Sequence, residues 1–309
     1  MLARQRDVTL LFTTRIVRLF AYGFLSVILV LYLAAIGFEA QAIGLLLTLT
    51  LAGDALVTLW ITTAADRVGR RRMLLVGAGL MVLSGLVFLW THNPILLIGA
   101  AIIGVISPSG GEIGPFLSIE QAALAQLVSD QQRTHFFAWY NLAGSFATAA
   151  GALAGGWLAQ NLQSAGLTQE AAYRVILLGY AAAGLLLIAL FLALSAKIEA
   201  TNASSTKRVL GLHDSKQVVF KLSALFALDA FAGGLVLQSI MAYWFHVRFG
   251  LQEGLLGTIF FAANILAGIS ALLAVRLAAK FGLINTMVFT HIPSNIMLRL
   301  VPLMPTLPL

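Results

Sequence analysis

Asp66-Arg67-Val68-Gly69-Arg70-Arg71-Arg72 is a dense polar stretch between two long apolar segments. Residues 43–65 precede it and residues 73–90 follow it; each segment carries almost no charge and is long enough to cross a bilayer. The stretch is therefore predicted to be a short loop at one face of a membrane. Because basic residues are retained on the cytoplasmic side, its four arginines place that face in the cytoplasm.

The composition of the whole chain also indicates a membrane protein. Hydrophobic residues make up 60% of it and charged residues only 10%, whereas soluble domains carry roughly 25% charged residues. The net charge of +7 would suit nucleic acid, but the basic residues lie in short loops between apolar runs, so we expect no nucleic-acid partner. The chain has no cysteine, which excludes disulfides and cysteine-ligated metals.

Turn residues and charges divide the chain into nine apolar segments, each near the roughly 20 residues that span a bilayer. We predict an all-α membrane protein, a polytopic helical bundle with about nine transmembrane helices, at residues 8–36, 42–65, 73–91, 95–118, 135–159, 172–195, 218–246, 253–278 and 284–309. Residues 197–217 are polar and are predicted to be a cytoplasmic linker. This linker separates a six-helix bundle, residues 1–196, from an incomplete second bundle, residues 218–309.

The distribution of lysine and arginine predicts the orientation of the bundle. With a cytoplasmic N-terminus, two of these residues, Arg174 and Arg248, fall outside, and fourteen fall inside. The fourteen are Arg4, Arg6, Arg67, Arg70, Arg71, Arg72, Arg133, Lys197, Lys207, Arg208, Lys216, Lys221, Arg276 and Lys280. We therefore expect an integral protein of the cell (inner) membrane whose N-terminus is cytoplasmic.

An internal repeat relates the two sides of the linker. The pair Gly37 and Gly44 recurs 213 residues later as Gly250 and Gly257, and the same offset brings Arg67-Val68-Gly69 onto Lys280-Phe281-Gly282. Duplicated helical bundles are typical of secondary transporters, which hold the substrate between the repeats near the bilayer midplane.

The polar loop resembles the signature of the major facilitator superfamily, Gly-x-x-x-Asp-Arg-x-Gly-Arg-Arg, which lies between helices 2 and 3 of that family. Thr62-Thr63-Ala64-Ala65-Asp66-Arg67-Val68-Gly69-Arg70-Arg71 matches it at every position except the first, where Thr62 replaces glycine. The resemblance implies a secondary transporter that moves a small organic solute by alternating access between two six-helix bundles. Because that family has twelve helices, we expect this chain to be truncated.

We further expect the transport to be coupled to protons, because carboxyl and arginine groups lie within the apolar segments, and the direction is left open between import and efflux. We expect no enzymatic activity, no cofactor and no metal site. The alternative function is a transport-inactive membrane sensor or scaffold that retains the fold.

The resemblance also gives the loop a role as a conformational latch, formed by Asp66, Arg67, Gly69 and Arg70. Asp66 can accept hydrogen bonds at a helix N-terminus of the opposite bundle, and Gly69 permits a tight turn. The arginines can pair with carboxylates or with the phosphates of anionic lipids. The alternative is that these arginines only set the topology and bind anionic membrane lipids.

Two arginines lie within the first apolar segment, where an ionisable side chain is costly and invites a functional hypothesis. Arg15 either reaches back to the headgroups or faces the pathway. The repeat places Arg18 opposite Asp229 of the seventh segment. We predict that Arg18 and Asp229 form an ion pair across the central pathway, which either responds to substrate or protons or only fixes the packing of the bundles.

Three acidic residues lie in the second and fourth segments. Asp54 either carries protons or joins helices as a polar contact. Glu112 lies in Ser107-Pro108-Ser109-Gly110-Gly111-Glu112-Ile113-Gly114-Pro115, whose prolines and glycines predict a broken helix, typical of a transporter binding site. Glu112 is therefore our candidate for proton or cation coupling. Glu120 either reaches the arginines of the loop, as part of the latch, or lies at a solvated helix end.

Overall fold

The computed structural model describes residues 2–112, 114–199, 216–234 and 236–304, and every regular element within these ranges is helical. The predicted all-α class is confirmed. Most of the predicted linker, residues 200–215, lies outside the described ranges, and the predicted division into two bundles stays a prediction. The α-helices are α1 Leu2–Ser26, α2 Leu29–Ala35, α3 Ala40–Val68, α4 Arg70–Trp90, α5 Pro94–Ile103, α6 Phe116–Leu127, α7 Asp130–Ser164, α8 Gln169–Leu192, α9 Lys216–Gly234, α10 Gln238–Phe249, α11 Glu253–Phe281 and α12 Leu283–Leu300.

Six helical segments of the described ranges are long and apolar enough to cross a membrane, by length and composition. They are Arg4–Ala35, which joins α1 and α2, and the helices Ala40–Val68, Arg70–Trp90, Asp130–Ser164, Gln169–Leu192 and Glu253–Phe281. Two of the other predicted spans are each divided into two shorter helices, α5 with α6 and α9 with α10. The count of about nine spans therefore stays a prediction.

The break between α5 and α6 occupies residues 104–115, as the prolines and glycines of this stretch predict. Gly110 and Gly114 have φ values of 70° and 81°, which side chains with a Cβ rarely adopt. Pro115 lies at the N-terminus of α6, where a missing backbone N–H costs nothing. The predicted break within the span of residues 95–118 is therefore confirmed, since α5 ends at Ile103 and α6 begins at Phe116.

Helix α1 lies at the centre of the molecule. It packs closely against α7 at glycine residues of both helices. A Cβ atom built on Gly151 would lie 2.1 Å from the carbonyl oxygen of Phe20, and one on Gly155 would lie 2.2 Å from that of Phe24. Conversely, a Cβ atom on Gly23 would lie 2.1 Å from the carbonyl oxygen of Thr148. The two backbones can approach this closely only because all three residues are glycine.

Helices α7 and α11 join the parts of the chain before and after the linker. Gly156 and Gly257 lie against each other, and Trp157 Nε1 donates a hydrogen bond of 3.0 Å to Thr258 Oγ1. These contacts lie toward the C-terminal end of α7, which is the end opposite the Asp66 loop. The two helices stay in contact further along, where a Cβ atom built on Gly268 would lie 3.3 Å from the side chains of Phe146 and Ser145.

Candidate functional site

Two arginines of α1 are buried inside the bundle. Arg15 is 5% exposed and Arg18 is fully buried. They are three residues apart and therefore share one face of α1. Because an unpaired buried guanidinium would cost several kcal/mol, both side chains require anionic partners. Of the two predictions for Arg15, the one in which its side chain extends to the lipid headgroups is therefore wrong.

Glu112 bridges the two arginines. Its Oε2 atom lies 2.8 Å from Arg15 Nη1, and its Oε1 atom lies 3.0 Å from Arg18 Nε. The carboxylate belongs to the break between α5 and α6, where the chain has left the helical path and can approach α1 from the side. Its side chain is 13% exposed, more than that of either arginine. The broken segment therefore positions a partly accessible carboxylate between two buried cations.

Glu120 of α6 binds the other edge of Arg18. Its two oxygens accept from Arg18 Nη1 and Nη2 at 2.9 and 2.7 Å, a bidentate pair. The same oxygens accept a hydrogen bond of 2.8 Å from Thr14 Oγ1 and a short one from the Tyr140 hydroxyl. Glu120 is fully buried. Glu120 is thus held by four donors, whereas the described partners of Glu112 are its two arginines.

We refer to Arg15, Arg18, Glu112 and Glu120 as the charge cluster; its two cations and two anions balance. Aromatic rings cover the guanidinium planes, with Arg15 Cζ 4.3 Å from the centroid of Tyr140 and Arg18 Cζ 4.7 Å from that of Phe116. A dry, low-dielectric setting of this kind strengthens the charge pairing and makes the loss of any single charge costly.

Two sequence predictions differ from these contacts. The structure gives Arg18 two partners, Glu112 of the fourth predicted span and Glu120 just beyond its end, which occupy its three guanidinium nitrogens. The predicted partner Asp229 belongs to α9, and its side chain lies outside the described side chains. Glu120 contacts neither the loop arginines nor solvent. The reason is its register on α6, which turns it toward α1 and not toward the end of the bundle.

Asp54 lies near the charge cluster, in the middle of α3. It is partly buried, and Thr58 Oγ1 is 3.5 Å from its Oδ1 atom. The neighbouring Gly53 packs against α5, since a Cβ atom built on it would lie 2.1 Å from the carbonyl oxygen of Ile102. Asp54 is therefore on the helix that borders the end of α5, where the broken segment begins.

The loop at the start of α4 is bound by the end of the first bundle. Gly69 has a φ of 115°, and Arg70 Nε lies 2.9 Å from Asp66 Oδ1. Glu199 accepts hydrogen bonds from the backbone N–H groups of Arg70 and Arg71 at 2.6 and 3.3 Å, so its carboxylate caps α4. The side chains of Asp66 and Arg67 are exposed. Within the described residues, the loop thus contacts its own bundle and leaves Asp66 open.

On the side of the bundle opposite the Asp66 loop, hydrogen bonds join three breaks between helices. The backbone N–H of Ser239 donates to the carbonyl oxygen of Pro108 at 3.0 Å, and Gln238 Nε2 donates to Ser26 Oγ at 2.7 Å. Ser26 ends α1, Pro108 lies between α5 and α6, and Gln238 begins α10. These hydrogen bonds link the part of the chain before the linker to the part after it, on the side of the charge cluster away from the Asp66 loop.

Three further residues of the site were not predicted from the sequence. Thr14 lies four residues before Arg18, a helical spacing that could have indicated a shared polar face. Tyr140 was assigned no contact with charge, yet it is fully buried on Glu120. Glu199 gave no local signal, since its partners are about 130 positions earlier in the chain.

Comparisons with known proteins agree with this architecture. The family model of the Major Facilitator Superfamily matches residues 11–308. The uncharacterized membrane protein YJR124C of Saccharomyces cerevisiae is 33% identical over 330 aligned positions, which cover 97% of this chain and 74% of the yeast protein.

Solved transporter structures share the fold at low sequence identity. The D-xylose-proton symporter superimposes with a TM-score of 0.58 and 16% identity, over 89% of this chain and 69% of the symporter. A bacterial homologue of the human drug peptide transporters PepT1 and PepT2 superimposes with a TM-score of 0.53 and 14% identity, over 80% of this chain. This chain spans 52% of that homologue's length, about half of it. From the family match and the yeast relative, the chain belongs to the major facilitator superfamily.

Proposed function

We propose that this chain carries the substrate and proton pathway of a secondary active transporter, which moves a small organic solute by alternating access. The observation that carries the proposal is the charge cluster, in which a partly accessible Glu112 bridges two arginines beside a helix break. Ionisable groups inside a membrane bundle mark ion and substrate pathways. The fold shared with a D-xylose-proton symporter supports the same class of activity.

The unequal bonding of the two glutamates suggests the coupling step. Protonation of Glu112 removes the anion shared by Arg15 Nη1 and Arg18 Nε, whereas Arg18 keeps its bidentate pair with Glu120. Arg15 then loses its carboxylate partner and keeps Asn141 Oδ1, 3.2 Å from Nη2. A proton on Glu112 thereby frees one guanidinium for a solute or for a rearrangement of the bundles.

The substitution Glu112→Gln tests this step. We expect E112Q to abolish solute-linked proton movement, because the glutamine amide, unlike a carboxylate, does not take up and release a proton. The measurement is proton flux into vesicles that contain the purified protein and a pH-sensitive dye, on addition of a panel of organic solutes. Glu39→Gln is the matched control, since Glu39 is an exposed carboxylate before α3 and its loss should leave the flux unchanged. Equal fluxes in E112Q and E39Q contradict the assignment.

The same assay separates transport from the alternative function, a sensor or scaffold that retains the fold. A transporter gives a solute-dependent flux in the unsubstituted protein. A scaffold gives no flux with any solute of the panel, although the protein is present in the vesicle membrane. The charge cluster favours transport, because a scaffold has no need of two buried arginines with unequally bound carboxylates.

The latch is the second part of the proposal. Asp66, Arg67, Gly69 and Arg70 lie at the end of the bundle that carries most of the basic residues, and we place this end and the N-terminus in the cytoplasm. The side chain of Asp66 is 62% exposed and has one neighbour, Arg70. It is thus available to a helix of the second bundle in another conformation, while the arginines contact anionic lipids.

For Asp66→Asn we expect slower solute flux with little change in thermal stability, since the Asp66 carboxylate is largely exposed and the buried Arg70 keeps its hydrogen bonds to Gln126 and to the carbonyl oxygen of Ile198. The flux assay and a thermal unfolding curve in detergent measure the two effects. The matched control is Asp130→Asn, another exposed carboxylate with an arginine partner, Arg133. Slowing of both variants to the same degree would mean that surface charge, and not a latch, sets the rate.

A further inference from the structure

Arg15 and Arg18 differ in how fully their guanidinium groups are bonded. All three nitrogens of Arg18 donate to carboxylate oxygens, at 3.0, 2.9 and 2.7 Å. Arg15 donates to a single carboxylate, that of Glu112, through Nη1, and its Nη2 atom has the neutral amide oxygen of Asn141 at 3.2 Å. Its Nε atom is buried and has no hydrogen-bond partner among the described residues. Buried N–H groups are almost always paired, so Arg15 retains a donor for a further acceptor.

The unpaired nitrogen belongs to the edge of the guanidinium that faces α7. Asn141 and Gly144 flank this edge; they are three residues apart and therefore share one face of α7. A Cβ atom built on Gly144 would lie 2.7 Å from Arg15 Nε and 3.1 Å from Nη2, so glycine keeps this edge free of a side chain from that position. Asn141 is exposed, which places the edge one residue from open space. The Nε–Nη2 edge is thus the part of the charge cluster that a solute reaches by displacing one neutral amide.

The charge balance of the cluster selects the chemistry of that solute. Two cations face two anions when Glu112 is ionised, whereas a proton on Glu112 leaves Arg15 without an anion. Among the described residues, the other titratable groups in contact with Arg15 or Glu112 are Arg18 and Tyr140, and the Tyr140 phenol is neutral. A neutral or cationic solute leaves this buried guanidinium uncompensated, which is unfavourable. A carboxylate restores the balance, and its two oxygens match the parallel N–H groups of a guanidinium edge.

We propose that the Nε–Nη2 edge of Arg15 binds the carboxylate of the transported solute, an organic monocarboxylate. This inference rests on the proposed function, and it names the class of solute that the bundle moves. The solute binds Arg15 while the carboxylic acid of Glu112 holds one proton, so one anion and one proton are bound together and the net charge of the site is unchanged. A phosphate monoester, with up to two negative charges, would overcompensate the single free cation.

Isothermal titration calorimetry of the purified full chain in lipid nanodiscs at neutral pH tests the assignment. The probes are acetate, butyrate, hexanoate and benzoate, each with its primary amide as the matched neutral compound, and butylamine and benzylamine as cations. Titration in two buffers of different ionisation enthalpy gives the number of protons taken up on binding. We expect the carboxylates to bind with uptake of about one proton each, and the amides and amines not to bind.

Two variants locate the site. Arg15→Lys keeps the charge but removes the paired donors, so the affinity for carboxylates should fall about tenfold, as expected for the loss of one hydrogen bond to a charged group. Arg174→Lys is the matched control, because this partly exposed arginine pairs with Glu170 at 2.9 Å, and its affinity should equal that of the unsubstituted chain. In Asn141→Asp, an exposed position gains a carboxylate that competes for Arg15 Nη2, so affinity should fall to a similar extent. Unchanged affinity in either R15K or N141D overturns the Arg15 site.

The outcomes also separate this inference from the proposed function. Carboxylate binding without proton uptake keeps the solute class and contradicts coupling through Glu112. In Glu112→Gln, whose amide resembles the protonated acid, carboxylate binding should persist without proton uptake. Absence of carboxylate binding, or binding of the amides or amines in its place, overturns the solute class, while proton flux with the wider solute panel still tests the proposed function.

Discussion

Glu120→Gln is expected to destabilise the protein by about 3–5 kcal/mol, the cost of removing one partner from a buried ion pair. Glutamine has the shape of glutamate, so no cavity is formed. The change leaves the fully buried Arg18 with only Glu112, which Arg15 also requires. The amide group would in addition direct N–H donors at Arg18 Nη2, Thr14 Oγ1 or the Tyr140 hydroxyl, all of which now donate to Glu120.

The measurement is the free energy of unfolding, obtained by titrating the denaturing detergent sodium dodecyl sulfate into mixed micelles. Asp130→Asn is the matched control: it removes a carboxylate from a salt bridge of 2.6 Å to Arg133, but this aspartate side chain is 83% exposed. Exposed pairs contribute only about 0–1 kcal/mol. A loss in E120Q no larger than in D130N would show that the buried pair does not hold the bundle together.

A double variant tests the charge balance directly. Arg18→Met with Glu120→Leu removes one cation and one anion and leaves Arg15 paired with Glu112 at 2.8 Å. Because replacing both members of a buried pair by apolar residues is often neutral, the double variant should be more stable than E120Q alone. If it is less stable, then packing around these side chains, and not the unpaired charge, explains the loss.

Gly151→Ala is expected to be the other strongly disruptive change, although it adds a single methyl group. That methyl carbon would lie 2.1 Å from the carbonyl oxygen of Phe20 and 2.8 Å from the backbone nitrogen of Phe24. Backbone atoms cannot rotate away as a side chain can, so α1 must move away from α7. Overpacking of this kind costs about 1–3 kcal/mol or more.

The movement of α1 also reaches the charge cluster, because Arg15 and Arg18 belong to this helix and Asn141 and Tyr140 belong to α7. We therefore expect G151A to lose solute flux as well as stability. Gly79→Ala is the matched control: Gly79 lies within α4, and a Cβ atom built on it has nothing within 4 Å. It should be neutral or slightly stabilising, since alanine favours helix over glycine. Equal stabilities of G151A and G79A would contradict the close approach of α1 and α7.

Several features of the fold could be predicted from the sequence because their signals are local. The apolar segments around the Asp66 loop gave the membrane class, and the loop itself gave the family. The prolines and glycines from Pro108 to Pro115 gave the helix break that holds Glu112. Each of these depends on hydropathy or on backbone conformation over a few neighbouring residues, which the printed sequence shows directly.

The pairing of the buried charges was not predictable in this way. Arg18 was predicted opposite Asp229 from the repeat, whereas its described partners are Glu112 and Glu120, about 100 positions later in the chain. Which acid meets which arginine depends on how α6 is rotated against α1, and this rotation is set by contacts of α6 with helices far away in the chain, such as the stacking of Phe116 on Phe191 of α8. No pattern within either helix records it.

By itself, the sequence determined a polytopic helical membrane protein of the major facilitator superfamily, with charges inside the bundle and a broken helix beside one of them. Only the tertiary structure decided that four donors hold the Glu120 carboxylate and that Glu112 bridges the two arginines. The physical reason is that a helix and its membrane span follow from residues close in sequence. The state of a buried charge instead depends on every donor around it, and those donors come from separate helices.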